Sequence, residues 1–376
     1  MKPISALLLA ALCWLCCYCA NPRLASLGQR TQFQGKLVRN IILDCFEAGL
    51  QYDTNTPVYC EASAVVRMGD QLLIAIDKPV PGDMRSPVFS IPVKSLKNSL
   101  ITNNNIRYIN ASPFLEMQKI EAMTTAGDTL FFATTAFDRI KSSDEWDSYN
   151  TLAHWRTSGI SNVKYTNPGA LHNARILRNA FRQALRSDTF PEGPPYFKIE
   201  ALTVLPDRRL IFGVREIGKS YLDFHYACIL VEARYVLTPE NEVILQPNFK
   251  KIYDYQPFIH NNPLGISDLI YQPTRASFVV LTSLEGEGDE RNKDLRSYLW
   301  VLPIAHLDTG APPILIQTKD GQPLELPHKG EGLLALDART LLIVHDEDRK
   351  DSRVQIGKTQ WTKQPHQTIL SIVRIR

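Results

Sequence analysis

The 376-residue sequence has no excess of either charge: 42 Lys and Arg residues face 39 Asp and Glu. Such a balance provides no overall field to draw in nucleic acid or an anionic membrane, so any charge effect is local. The sequence also lacks a Gly-x-Ser-x-Gly nucleophile elbow, a phosphate-binding loop and a dinucleotide fingerprint, which removes three common routes to catalysis. Its eight histidines show no ligand spacing, and no cysteine spacing suits zinc. Asp346-Glu347-Asp348 followed by Asp351 lacks the glycine and closing glutamate of a calcium loop.

Cysteine is sparse once the leader is set aside. Residues 1–20 carry Lys2, an uncharged apolar stretch from Ile4 to Cys19, and then Ala20-Asn21-Pro22-Arg23. That is the form of a secretory signal peptide, and a run of 16 residues is short for a membrane span. An exported protein, secreted or periplasmic, is expected; an uncleaved leader acting as an anchor is the alternative. None of Cys13, Cys16, Cys17 and Cys19 follows a small residue, which argues against lipid attachment. Cys45, Cys60 and Cys228 remain. The first two are natural disulfide partners in an exported chain, and their bridge would add about 3 kcal/mol by loop entropy. Cys228, alternating with apolar neighbours, reads as a buried free thiol.

What the chain does have is repetition. A short pattern opens five times on an acidic or hydroxyl residue, at Glu61, Glu121, Glu200, Ser267 and Glu331, with intervals of 60, 79, 67 and 64 residues. A further residue 16 positions on is polar in four of the five: Asp77, Glu216, Ser283 and Glu347, with Phe137 the exception. Between them lie two apolar runs joined by a tight turn, such as Met68-Gly69-Asp70, Pro206-Asp207-Arg208 or Asp337-Ala338-Arg339. Each unit reads as a hairpin, and the intervals leave room for two further strands. Four antiparallel strands per unit describe a propeller blade.

The last unit is one strand short, since Glu331 to Arg376 supplies the hairpin and only Thr368 to Ile375. Lys36 to Leu43, a strand with no unit of its own, can complete it and remove an open sheet edge. The expected fold is therefore an all-β, five-bladed β-propeller over 33–376, closed by an N-terminal strand; six blades would need a unit that is not visible. One helical insertion near 168–187, capped by Asn167-Pro168 and running from about Gly169 to Arg186, carries an apolar stripe through Leu171, Ala174, Leu177, Phe181 and Leu185. Arg175, Arg178, Arg182 and Arg186 share a face, read as solvated or as a place for an anionic partner.

First strands of blades line the channel, so the five opening residues are expected to converge at one mouth. Four carboxylates there would repel one another unless protonated or joined by a cation. Oxygen donors without Cys or His suit calcium; the alternative is a polar plug in which each acid bonds backbone amides. The ends of the second strands add Asp77-Lys78, Asp138-Arg139, Arg215-Glu216, Glu285 and His345-Asp346-Glu347. Arg139, Arg215 and Lys78 are candidates to hold phosphoryl oxygens, with Glu216, Asp346 or Glu347 as base and Asp77 beside them. A sugar-cleaving propeller would instead need two acids at a defined separation across the mouth.

Ile199-Glu200-Ala201-Leu202-Thr203-Val204-Leu205 and Gly330-Glu331-Gly332-Leu333-Leu334-Ala335-Leu336 resemble the Glu-Gly-Leu repeats of bacterial esterase-like phytase domains. The order of Gly265-Ile266-Ser267-Asp268 before Gly330-Glu331-Gly332 is similar to that of soluble calcium-activated nucleotidases. This resemblance, over roughly Cys60 to Arg349, implies a five-bladed propeller with calcium held by Glu121, Glu200, Ser267 and Glu331; Glu61 follows from the repeat alone. Asp77-Lys78-Pro79-Val80 departs from the nucleotidase pattern after the first repeat. The functional expectation is a calcium-holding hydrolase of phosphate esters or anhydrides acting on a small anionic substrate. The alternative is a non-catalytic propeller in which calcium is structural and the rim or the arginine row binds a protein.

Overall fold

A computed structural model of the chain describes residues 32–82, 85–138, 146–166, 174–240, 242–285, 295–346 and 352–376. The leader, Arg139, Glu347, Asn167-Pro168 and Leu171 lie outside the described residues. The rest is mostly β-strand, and the five predicted hairpins all form, four of them around a residue in the left-handed region: Gly69, Gly127, Arg208 and Ala276. Gly69 and Arg208, for instance, sit at φ 59° and 63°, values that tight turns of this kind favour.

Each hairpin leads a sheet. The first sheet runs Ala62–Met68, Gln71–Ile76, Val88–Pro92, Arg107–Tyr108. The second runs Ile120–Ala126, Leu130–Thr135, Leu152–Arg156, Lys164–Tyr165. In the third, Tyr196–Leu205 pairs with Arg209–Ser220 and that with Asp223–Leu237, whose outer edge takes two short strands, Val243–Leu245 and Lys250–Tyr255. The single strand expected over Glu242 to Tyr255 is thus broken, at Pro247, where a ladder donor is missing. The fourth sheet runs Gly265–Gln272, Ser277–Glu285, Leu295–Pro303, Ile314–Gln317. Gly330–Ala335, Thr340–His345 and Gln367–Ile375 make the fifth, and Phe33–Asp44 pairs antiparallel with Gln367–Ile375 along nearly its whole length. A short parallel contact, Phe33 with Ile316, joins the fourth and fifth sheets.

The leading strands touch in a cycle: the first sheet's against the second's, and so on until Gly330–Ala335 lies against Ala62–Met68. Apolar side chains follow the same order, and the five large buried clusters each draw mainly on two adjacent sheets. Alternation along each strand sends one set of side chains to each neighbour, so each of the five sheets packs against two others. Among the described residues no helix is long and apolar enough to cross a membrane.

The helix Ala174–Ala184 packs Leu177, Phe181 and Leu185 against the third sheet, with Phe181 ringed by Phe137, Phe197, Phe212 and Phe249. Two members of the arginine row, Arg178 and Arg182, turn to the protein itself, while Arg186 is exposed beside Glu192 at 3.6 Å. Arg178 is buried, donates to the carbonyls of Phe137 and Pro195 and to Asn150, and stacks 4.4 Å over Phe197; Arg182 donates to the carbonyls of Glu192 and Gly193. These arginines bind the helix to its own protein, because orphan carbonyls in the adjoining loop need donors.

The Cys45–Cys60 disulfide is formed and Cys228 is free and buried. The bridge joins the end of Phe33–Asp44 to the start of the first sheet across 15 residues. Replacing both cysteines by alanine is expected to lower unfolding free energy by about 3 kcal/mol, measured as a urea midpoint shift at unchanged slope; an unshifted midpoint would show that the two ends are fastened by pairing alone.

Candidate functional site

Every leading hairpin is interrupted near its start by a β-bulge, and the third slips a second time, opposite, at Arg215. The register slips past Glu121, Glu200, Ser267 and Glu331 in the second to fifth sheets, and past Ser63 in the first. A bulge leaves its extra residue unpaired and re-aims its side chain. The bulged residues are all buried, and they form the innermost ring. The first member of that ring is Ser63, two residues beyond the expected Glu61: the sequence pattern aligns acid with acid, whereas the backbone aligns bulge with bulge.

Three of the ring acids meet. Carboxyl oxygens of Glu121, Glu200 and Glu331 lie within 4.8 Å of one another. Ser63 closes its part of the ring by donating to the carbonyl of Ile120. At Ser267 the ring is filled by Arg215, whose Nη1 donates to Ser267 Oγ at 3.0 Å and Ser283 Oγ at 2.8 Å. Its Nη2 donates to Glu285 at 2.9 Å and its ring-facing Nε stands 3.9 Å from Glu200. Space for this guanidinium comes from Gly265, where a Cβ would lie 2.7 Å from Arg215 Cγ.

Two lysines enter the same space. Lys198 pairs with Glu121 at 3.2 Å and with Glu200; Lys329 pairs with Glu331 at 2.8 Å, Glu285 at 3.0 Å and Asp346 at 3.5 Å. Both stand two residues before a ring glutamate, as does Lys119, which pairs with Asp138 at 2.8 Å. The triplets Lys119-Ile120-Glu121, Lys198-Ile199-Glu200 and Lys329-Gly330-Glu331 are therefore a second repeated signal, legible in the sequence and unused in reading it. Lys198 and Lys329 reach the carboxylates of their own triplets, whereas Lys119 turns to Asp138 at the rim.

Charge does not balance within this group. Lys198, Arg215 and Lys329 face six carboxylates: Glu121, Glu200, Glu216, Glu285, Glu331 and Asp346. Burial pushes the Glu121 carboxyl up to about 7, with the Glu200 charge adding to it. For Glu200 burial acts the same way but is overcome by Lys198 and Arg215, which hold it down at about 2. Glu331, buried and facing the Glu200 carboxylate, is raised well above the usual range. Two carboxyls in contact cannot both stay ionised without a proton or a cation between them.

The rim above the ring is where the remaining expected residues sit. Glu61, its pKa raised by burial and then by Asp346, pairs with Lys78 and bridges backbone to backbone with Asp346. Burial and the Glu61 charge lift Asp77 to about 7. Glu216 accepts from the Tyr196 hydroxyl. Arg215 is fully buried and its side chain is taken up by the chain's own oxygens, whereas Lys78 is half exposed and Lys119 a quarter exposed. The exposed cations thus cluster between the first and second sheets.

No family model matches this chain, and no curated protein does. Solved structures match it only at low similarity. A GH43 β-1,3-galactosidase aligns at TM-score 0.42 and 10% identity over 86% of this chain and 93% of its own. Bombyx mori GH32 β-fructofuranosidase aligns at 0.38 and 11%, over 83% and 61%. A luciferin-regenerating enzyme aligns at 0.37 and 8%, over 83% and 77%. None of the three is a phytase or a nucleotidase.

Two outcomes follow from the charge group. Arg215→Met is expected to cost about 3 kcal/mol of stability, because it takes one cation from both Glu200 and Glu285 and leaves Lys198 and Lys329 alone to pair them; a fully stable variant would mean those lysines suffice. Asp77 and Glu121 have folded pKa values above the unfolded carboxyl range of about 4, so their stabilising contribution is complete below that range and lost as pH rises through about 7. Metal-stripped protein should therefore unfold at lower urea at pH 8 than at pH 5.5, and a midpoint that holds or rises would overturn these shifts.

Proposed function

We propose that the chain is a five-bladed β-propeller, its last blade completed by the N-terminal strand, that holds one divalent cation in its channel and hydrolyses phosphate esters or anhydrides at the mouth above it. The observation that carries the cation is the meeting of Glu121, Glu200 and Glu331 in a buried space with a carboxylate excess. Among the described residues Glu200 Oε2 and Glu331 Oε2 are buried with no hydrogen-bond donor, and the two carboxyls face each other. Hard oxygen donors with no sulfur or imidazole favour calcium over softer ions, and Ser267 stands at the edge of the same ring. When bound, the ion supplies positive charge to the carboxylate excess and fastens three sheets at their innermost strands.

The hydrolytic part of this reading rests on the rim. Lys78 and Lys119 offer exposed ammonium groups to an anionic substrate, and Asp77, Glu216 and Asp346 are the carboxylates positioned to take a proton. Arg139 and Glu347 belong to the same reading by their place in the repeat. Arg215, enclosed and fully bonded, acts here as a positioning residue for Ser267 and Glu285 instead of a substrate ligand. With a signal-type leader and a disulfide, the protein is read as exported.

Calcium should raise the melting temperature of chelator-treated protein and abolish its alkaline destabilisation, and Glu200→Ala should eliminate both effects. The hydrolase reading is tested separately, on nitrophenyl phosphate, nucleotides and phytate with and without chelator; turnover lost in Lys78→Ala with stability kept supports it. No turnover alongside a calcium-dependent melting temperature leaves a non-catalytic propeller with a structural ion. Lys198, which already bridges Glu121 and Glu200, favours one further reading, in which ammonium groups do the ion's work. Native protein empty of metal and indifferent to calcium would establish that one.

A further inference from the structure

Away from the channel, the seam between the fourth sheet and the N-terminal strand forms a groove of about 500 Å³. Its walls carry Lys36, Lys319, Arg374 and Arg376, with Asp320 the one acidic residue among them, over a floor that includes Leu37 and Leu324. Three different segments converge here: the start of Phe33–Asp44, the end of Gln367–Ile375 and the turn after Ile314–Gln317.

Four cations in this groove face one acidic side chain, that of Asp320. None of their side chains is in an ion pair or hydrogen bond with another described residue. Asp337 feels the charge of Arg374, but its Oδ1 accepts from the backbone amides of Arg339 and Thr340. Pairing makes the imbalance costly. Lys36 and Arg374 are direct cross-strand partners in the antiparallel register, a position where like charges destabilise a sheet. Arg376, whose amide donates to the Gln34 carbonyl at 2.8 Å, extends the same face. A sheet that needed only to close could place any polar pair there.

We propose that this groove binds a compact oxyanion carrying two or more negative charges, of sulfate or phosphate chemistry. Two guanidinium and two ammonium groups around one half-open space match the forked and point-charge donors that such anions accept. The anion would relieve the Lys36–Arg374 repulsion and bond across the seam where the first and last strands of the fold meet. This inference is independent of the reading of the channel.

The test uses the whole chain with inositol hexasulfate, which no phosphatase cleaves, and phosphatidic acid vesicles, whose phosphomonoester headgroup is a second source of the same chemistry. Calorimetry at low salt should show hexasulfate binding that weakens as salt is raised. The Lys36→Gln/Arg374→Gln variant should bind about tenfold more weakly or worse, and so should Lys319→Gln/Arg376→Gln, which leaves the cross-strand pair intact. Without ligand, Lys36→Gln alone should melt at a higher temperature than the natural protein, because repulsion is removed. Vesicle binding without hexasulfate binding, lost in the same variants, would assign the oxyanion to a lipid headgroup. Equal affinity in the natural protein and both double variants, or no binding to either probe, would overturn the proposal.

Discussion

The structure depends on a group of charges that has nowhere to go. Five bulges turn five side chains to the centre of a cycle of sheets, and three of those side chains are glutamates. In a space closed to water each ionised carboxyl needs a partner, and the attraction between partners is strong enough to fix geometry. Lys198 and Arg215, on adjacent strands of the third sheet, and Lys329, just ahead of the leading strand of the fifth, supply most of that pairing. The centre thereby links elements far apart in sequence, which apolar packing between neighbouring sheets does only pairwise.

This arrangement divides interior from rim. Charges at the ring are committed to one another, and Arg215 shows how completely, with serine, carboxylate and carbonyl oxygens around it and Tyr226 beneath. The rim keeps cations that reach solvent, Lys78 and Lys119, beside acids whose protonation is held near neutrality, as at Asp77. A surface of that kind can exchange protons and admit an anion; the ring below can hold a cation or do without one. The two layers answer different questions and are separable by substitution.

The N-terminal strand Phe33–Asp44 has more than one task. Its apolar residues Ile41 and Leu43 complete the core between the fifth and first sheets. Asn40 accepts from Ser371, which is itself bonded to His345, so a polar chain pins the strand at its middle. The disulfide fastens its end, and its start shapes the basic groove. Helix Ala174–Ala184, in contrast, is an addition that seals one sheet with aromatic rings and a buried arginine.

The sequence by itself determined the hairpins, their number, the disulfide pair and the inward place of Glu121, Glu200 and Glu331, because alternation and turn chemistry are local and repeat. Only the tertiary structure decided that Ser63 takes the ring position in the first sheet, since a bulge is a property of the register between two strands. Arg215 read as a substrate ligand and Arg178 as a solvated residue because a cation's sequence neighbours do not reveal which distant carbonyls and carboxylates will surround it. The Lys-x-Glu triplets were present in the letters, but their meaning needed the strands to be placed side by side. Burial is decided by what folds over a residue, and for charged groups burial decides the role.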